Sequence, residues 1–461
     1  MIVRTTAGLV EGRAEEGVLA FLGVPYAAPP FGEHRFGAPV PPPAWDGVRP
    51  AVTRGPAAPQ AAGEDIGLYA PDVFEVGEDC LNLDVRTPEI GRAGLPVLVW
   101  IHGGAFSIGG NGAAWHQGSR FARDGVVCVA INYRLGFEGF LALEDAPLNR
   151  GVLDWLAALE WVRDNIAAFG GDPGNVTIAG QSAGAAAVAT LLTMPRAEGL
   201  FRRAIVMSGS ANLVATEQEA RDYAKTLAAR LGIDPTRSSF AGLSPEALVA
   251  EQPPPLAGDS GGLNESVPVK PVVDGDLIPA VPLAALRAGA SGHLPLLVGC
   301  TSQEADVFVR RLVADLDEAA AQAVLDHLGV QVDEPGLTPA DRVGRAFTQH
   351  LFTRETRWIR EARPAYAYEF RWESPVESPV GGGRVGAVHN LDLPFVFDVL
   401  DAPGVERTAG PGAPQAVADA MHAAWVRFAR TGDPGWPLGH TMIFGEPGHS
   451  GWSADSRQGR S

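Results

Sequence analysis

A serine hydroxyl attacks an acyl carbon only when something presents it, deprotonates it and stabilises the charge that follows. Two stretches of this sequence could supply the first and last of these. The segment Gly180-Gln181-Ser182-Ala183-Gly184 has the spacing G-x-S-x-G. It lies between a strand-like run, Asn175–Ala179, and a helical run, Ala185–Leu192. That context predicts a sharp strand-to-helix turn with Ser182 Oγ at the carboxyl edge of a sheet. Small neighbours at Gly180, Ala183 and Gly184 let such a turn close around a strained serine. The competing reading of the pattern alone is a helix N-cap serine. Upstream, His102-Gly103-Gly104-Ala105-Phe106 directly follows the run Pro96–Ile101. The unobstructed N–H groups of Gly104 and Ala105, joined by that of Ala183, could converge on one developing oxyanion. The plain alternative is an ordinary glycine turn after a strand.

These residues need a rigid frame, and the surrounding sequence predicts one. Pro96–Ile101 and Val126–Ile131 are continuous apolar runs, as expected of strands buried on both faces of a parallel sheet. Val152–Phe169 carries apolar residues at a helical period, and Gly170 to Pro173 closes it. Arg203–Met207, Leu294–Val298 and Tyr366–Trp372 read as further strands. Strands alternating with helices predict an α/β fold with a mostly parallel sheet flanked by helices. Ile2–Arg4, Gly8–Glu11 and Val18–Phe21 read as short antiparallel strands at the start. Residues 22–60 are too rich in proline for helix and read as an extended wrapping loop. Residues 250–270 read as a surface excursion that forms part of a pocket. Residues 306–345 read as amphipathic helix, with Val307, Val309, Leu312 and Leu316 on one face. A last helix is expected near 414–430, with Val417, Met421, Trp425 and Phe428 on its buried stripe, and a loop-rich tail after Gly432.

Composition removes several function classes. The 461 residues hold 54 acidic and 36 basic side chains, a formal charge of −18. The basic residues are nearly all arginine, with lysine only at Lys225 and Lys270, and they form no cluster of the kind a phosphate backbone requires. A nucleic-acid partner is therefore not expected. No apolar run reaches the roughly 18 residues of a membrane span, and no signal-peptide pattern opens the sequence. Three widely spaced cysteines, Cys80, Cys128 and Cys300, do not make a disulfide framework and suit a reducing compartment. The expectation is a cytoplasmic protein, residues 1–461 forming one domain. With no CxxC, HExxH or dinucleotide fingerprint, no metal or organic cofactor is expected.

Several long motifs in order give a more specific reading. FLGVPYAAPPFGEHRF (21–36), GEDCLNLDV (77–85), WIHGGAF (100–106), FGGDPGNVTIAGQSAG (169–184) and LFRRAIVMSGS (200–210) together resemble the type-B carboxylesterases. These are α/β-hydrolases that include cholinesterases and bacterial p-nitrobenzyl-type esterases. The resemblance implies the α/β-hydrolase fold with pocket-forming insertions and a Ser–Glu–His triad. Gly299-Cys300-Thr301-Ser302-Gln303-Glu304 fits the family's acid motif, making Glu304 the acid, with Asp306 the competing carboxylate. Gly386-Ala387-Val388-His389-Asn390-Leu391-Asp392-Leu393-Pro394 fits its histidine motif, making His389 the base. Imidazole, with an unperturbed pKa of about 6.5, can take the serine proton and return it to the leaving alcohol. A carboxylate behind it fixes the tautomer and stabilises the imidazolium. Asp392 is expected to orient the histidine loop, and His422 and His102 to be structural.

The resemblance also implies ion pairs Arg35–Glu78 and Arg134–Asp172, and a second buried serine, Ser208, behind the site. Substrate contacts are expected from Gly103, Phe106, Gln181 and Phe395, with Trp115, Phe137 and Phe397 as further pocket candidates. Two departures stand out. Ala58 occupies the position of the cysteine that would pair with Cys80, so that bridge is absent. Gln181 replaces a glutamate common before the nucleophile, removing a charge from the pocket. The function implied is hydrolysis of small-molecule carboxylic esters through an acyl-enzyme on Ser182. Two alternatives stay open: carbamate or amide hydrolysis by the same triad, and a non-catalytic binding member of the fold. Acyl and alcohol preference and oligomeric state are not encoded in any of these motifs.

Overall fold

The computed structural model describes residues 1–61, 75–91, 94–253, 267–312 and 315–446, with the backbone of 452–454. Among these residues eleven strands form the main sheet. They are β1 (Arg13–Glu15), β2 (Val18–Pro25), β3 (Asn82–Thr87), β4 (Leu95–Ile101), β5 (Val127–Ile131), β6 (Gly171–Gln181), β7 (Arg203–Met207), β8 (Leu296–Thr301), β9 (Tyr366–Phe370), β10 (His440–Phe444) and β11 (Trp452–Ala454). Across the sheet the order is β11-β10-β9-β8-β7-β6-β4-β5-β3-β2-β1. Neighbours from β10 through β5 are parallel, and the strands outside them pair antiparallel. This is the α/β-hydrolase arrangement expected from the sequence. A small separate sheet pairs Ile2–Arg4, Leu9–Glu11 and Val48–Pro50.

The continuous apolar strands are explained by burial on both faces. Alternate side chains of a strand point to opposite sides. In β4, Val97, Val99 and Ile101 enter one hydrophobic cluster, while Leu98 and Trp100 enter the other. Helices α1 (Arg150–Asn165) and α2 (Ala183–Leu191) cover the first face. Trp155, Leu156, Leu159 and Val162 supply the packing from α1. Each fully buried side chain of this size contributes about 1.5–3 kcal/mol by leaving water.

Among the described residues four α-helices lie between β8 and β9: α3 (Asp306–Leu312), α4 (Glu318–Leu328), α5 (Pro339–Thr348) and α6 (Arg354–Ala362). A single π-helical turn, Gln349–Thr353, joins α5 to α6. The long helix α7 (Gln415–Thr431) covers the second face through Met421, Trp425 and Phe428.

Several expectations are corrected. Residues 306–345 form three helices, and Leu312 is 69% exposed rather than on the buried face. The 22–60 segment is not uniformly extended, since a short 3₁₀ turn forms at Gly32–His34. The tail past Gly432 contributes β10, which pairs in parallel with β9. Of the 250–270 segment, residues 254–266 lie outside the described residues. Arg35 pairs with Glu138 at 2.6 Å, and Arg134 with Asp154 at 2.7 Å, all four buried. The proposed partners cannot serve these arginines. Glu78 is exposed, and an oxygen of Asp172 is taken up by the N–H of Gly174 in its own turn. Buried guanidinium groups need buried carboxylates, and α1 supplies one in Asp154.

The three cysteines are buried and free. Burial pushes the Cys80 thiol well above its ordinary range and raises that of Cys128 to about 12. Such thiols are poor nucleophiles. Thiol titration should find essentially none reactive in the native protein and three after unfolding without reductant. A count of one after unfolding would reveal a disulfide. Among the described residues no helix is long and apolar enough to cross a membrane.

Candidate active site

Register brings the chemistry to one sheet edge. Ile101 of β4 lies beside Gly180 of β6, Gln181 beside Met207 of β7, Met207 beside Gly299 of β8, and Thr301 beside Phe370 of β9. The segments that follow these carboxyl ends are the His102–Phe106 loop, Ser182, Ser208 and the turn bearing Glu304. A crevice at the carboxyl ends of parallel strands is where open α/β sheets bind ligands.

Ser182 occupies the turn between β6 and α2 with φ of 58° and ψ of −123°. That conformation costs a non-glycine residue on the order of 1–3 kcal/mol and has to be imposed by its surroundings. Here the imposition is steric and hydrogen bonded. The N–H of Ser182 donates to the carbonyl of Met207 at 2.9 Å. A Cβ on Gly180 would lie 2.3 Å from the Gly184 carbonyl oxygen, and one on Gly184 would lie 2.1 Å from that of Ile101. Both glycines are therefore needed to close the elbow. Ala183 takes the first position of α2, where a helix N–H has no intrahelical acceptor.

The loop after β4 is folded against this elbow. A Cβ on Gly103 would sit 2.7 Å from the Gln181 carbonyl oxygen and 3.1 Å from Ser182 Cβ. Gly104 and Ala105 both have positive φ, 108° and 51°. The Gly104 carbonyl accepts from Ser107 and Ile108, which turns the loop, and no described residue accepts from the N–H groups of Gly104 and Ala105. His102 anchors the base of the loop. Its ring stacks on Tyr133, its Nδ1–H donates to the Gly103 carbonyl at 2.8 Å, and its own carbonyl accepts from Tyr133 Oη at 3.0 Å. Burial lowers the His102 pKa to about 4, so this histidine is a neutral structural part.

Glu304 and His389 meet beside Gln181, the residue before Ser182. Glu304 is fully buried, and its Oε2 accepts from His389 Nδ1. Its Oε1 accepts from Ser208 Oγ at 2.6 Å and from the Thr301 N–H at 2.7 Å. The carboxylate is held at both oxygens, which fixes the imidazole tautomer with Nε2 as acceptor. Ser208, at φ of 51°, is thus an orienting residue behind the site. Asp306, the competing acid, turns instead to Arg345. Asp392 is held by Tyr368 Oη at 2.7 Å. Burial, and then the neighbouring Glu304, raise its pKa to about 7, so it adds less than a full negative charge at neutral pH.

His389 Nε2 faces the Gln181 amide at 3.1 Å, and among the described residues Ser182 Oγ does not bond to it. The Glu304–His389 contact is formed while Ser182 Oγ stands apart from it, a looseness familiar in unliganded sites. The ring of His389 is also flanked by Phe352, at 5.0 Å between centroids, and Phe308, at 6.1 Å. Neither was singled out by sequence. Phe352 sits on the π-helical turn, a distortion common at functional sites, and no sequence motif marks it. Phe106 and Phe395 are instead fully buried, Phe106 against Phe140 and Trp155, and Phe395 against Phe370 and Trp372. Trp115, Phe137 and Phe397 are likewise core residues. These aromatic side chains fill the layers under the site.

Comparisons with known proteins identify the family. Residues 1–333 match the carboxylesterase family model. The chain is 37% identical over 470 residues to para-nitrobenzyl esterase of Bacillus subtilis (strain 168), covering 95% of this chain and 92% of that one. It is 34% identical to fumonisin B1 esterase of Sphingopyxis macrogoltabida, covering 98% and 87%. Among solved structures, a Geobacillus stearothermophilus carboxylesterase superposes with a TM-score of 0.84 at 35% identity, covering 99% of this chain and 98% of the other.

Proposed function

We propose, on the premise that this chain belongs to the carboxylesterase family and is a serine ester hydrolase, that Ser182, His389 and Glu304 carry its reaction. The observation that supports this most directly is the meeting of a doubly held Glu304, His389 and the strained Ser182 elbow at one sheet edge. In acylation the Gln181 amide rotates aside and Ser182 Oγ–H turns to His389 Nε2. Oγ attacks the ester carbonyl as Nε2 takes the proton. The carbonyl oxygen becomes an oxyanion that accepts from the N–H groups of Gly104, Ala105 and Ala183. Collapse of the tetrahedral intermediate breaks the C–O bond, and the imidazolium returns its proton to the leaving alcohol. Water then repeats the sequence on the acyl-enzyme and releases the acid. Glu304 stabilises the imidazolium in both halves.

The pocket reads as one for neutral esters. Gln181 supplies hydrogen bonding beside the histidine without a charge, and Phe352 and Phe308 present apolar faces there. A panel of p-nitrophenyl esters from acetate to palmitate, run beside a carbamate and an anilide, tests this reading. The p-nitrophenyl esters should be turned over fastest, because p-nitrophenolate leaves with little need of protonation, whereas the amine of an anilide must be protonated to leave and a carbamate carbonyl is less electrophilic. A carbamate or anilide cleaved faster than every ester would overturn it.

A further inference from the structure

The acid and the base of the triad come from segments 85 residues apart, and their meeting has to be held by something besides their own contact. We infer that Gln303 is a positioning residue that laces the Glu304 turn to the His389 loop. This inference rests on the triad assignment above and adds a residue to it.

Gln303 is buried, one residue before Glu304. Its backbone N–H donates to the Ala387 carbonyl at 3.1 Å. The Ala387 N–H donates back to Gln303 Oε1 at 3.0 Å. Residues 303 and 387 thus exchange a reciprocal pair of bonds, one acceptor being a side chain. The other end of the amide, Nε2, donates to Glu373 Oε1 at 2.6 Å. The two partners settle the orientation of the amide. A carboxylate can only accept and a backbone N–H can only donate, so a flipped amide would lose both bonds. The contact is also close. Gly386 has φ of 71°, and a Cβ there would lie 1.8 Å from Gln303 Oε1. The glycine that opens the histidine motif is therefore required by the Gln303 side chain as well as by its own backbone.

The functional consequence follows from where these bonds lie. Glu304 is the next residue after Gln303, and His389 is two residues after Ala387. A small slip between the two segments would lengthen the Glu304–His389 bond and misaim Nε2. A misplacement of about 1 Å at a reacting group can cost on the order of 10²-fold in rate. Glu373 is exposed, so the outer anchor of this lacing lies at the surface while its inner end is buried.

Gln303→Glu tests the role. The new carboxylate would face Glu373, so the outer anchor becomes repulsive. Expected results are a fall in kcat of about tenfold or more at a KM changed less than about twofold. The double variant Gln303→Glu with Glu373→Gln exchanges donor and acceptor, restores the anchor and should recover much of kcat. A Gln303→Glu enzyme with unchanged kcat, or a double variant no better than the single, would overturn the inference. Should Gln303→Glu fail to fold, Glu373→Met at the exposed anchor decides. It should lower kcat with KM little changed, and an unchanged kcat overturns the role. Glu304→Gln and His389→Ala run alongside separate the two ideas. If both stay active, the triad assignment fails. If both are inactive while Gln303→Glu is normal, only the lacing fails.

Discussion

Ser182→Ala is expected to lower kcat by up to about 10⁶-fold, the scale on which a serine hydrolase loses its nucleophile. The loss should be in kcat, with the protein still folded. Ser182 lies on a strained turn at φ of 58°, so alanine relieves no steric clash and removes one hydroxyl. The residual rate should reflect the Gly104, Ala105 and Ala183 donors and substrate binding alone. An organophosphate should add one phosphoryl group to the wild type, at Ser182, and none to the variant. Purified Ser182→Ala that retains esterase activity would show that another group is the nucleophile.

His389→Ala should be about as damaging, because a serine and its base act as a unit and their losses do not add. His422 is the useful contrast. It too is buried and bonded at both nitrogens, to the Val396 carbonyl at 2.8 Å and to Asp124 at 3.0 Å. Those contacts are structural, so His422→Ala should cost on the order of 1–3 kcal/mol of stability and leave kcat/KM nearly unchanged. Exchanged outcomes would reassign the base. A general base must be unprotonated to act, which gives kcat/KM its acid limb. Gln181→Glu places a carboxylate beside His389 Nε2, where it favours imidazolium. The acid limb should therefore move to higher pH, and butyrylcholine should improve relative to its neutral isostere. A variant with neither change would show that position 181 does not set charge selectivity.

The Ser182 turn, the His102–Phe106 loop and the segments bearing Glu304 and His389 could be singled out from the sequence because each is encoded locally. A turn such as Gly180–Gly184 carries its geometry in a few adjacent residue types, and strands β4, β6 and β7 carry theirs in continuous apolar runs. What joins distant segments was not legible in the same way. Nothing near Arg35 or Arg134 points to Glu138 or Asp154 as partner, because several carboxylates lie at comparable separations along the chain. Gln181 against His389 and Gln303 against Ala387 are bonds across 208 and 84 residues. Phe352 escaped notice because it lies within a helical stretch, where an aromatic residue is normally core. Phe106 and Phe395 show the converse, since proximity to a motif said nothing about which way the ring points. Leu312 fits an amphipathic stripe by spacing alone, but the residue faces solvent. Strand β10 was missed because it is five residues long and follows a Gly- and Pro-rich stretch.

The π-helical turn between α5 and α6 has a consequence for how this region can vary in length. An α-helix advances about 100° per residue, so one added residue changes the phase of everything after it. Before the turn, Val343 and Ala346 pack into their local cluster and Thr348 Oγ1 accepts from the Ala305 N–H at 3.0 Å. Beyond it, Glu355 Oε2 accepts from Ser210 Oγ at 2.8 Å and Ile359 enters the main core. A uniform α-helix would leave one of these two faces turned away by about 100°. Residues 349–353 therefore act as a phase adjuster, letting one continuous helical segment serve two environments with Phe352 aimed at His389 between them. Single-residue deletions here fall in a different class from deletions in surface turns such as 381–383: they would rotate a whole helix rather than shorten a loop.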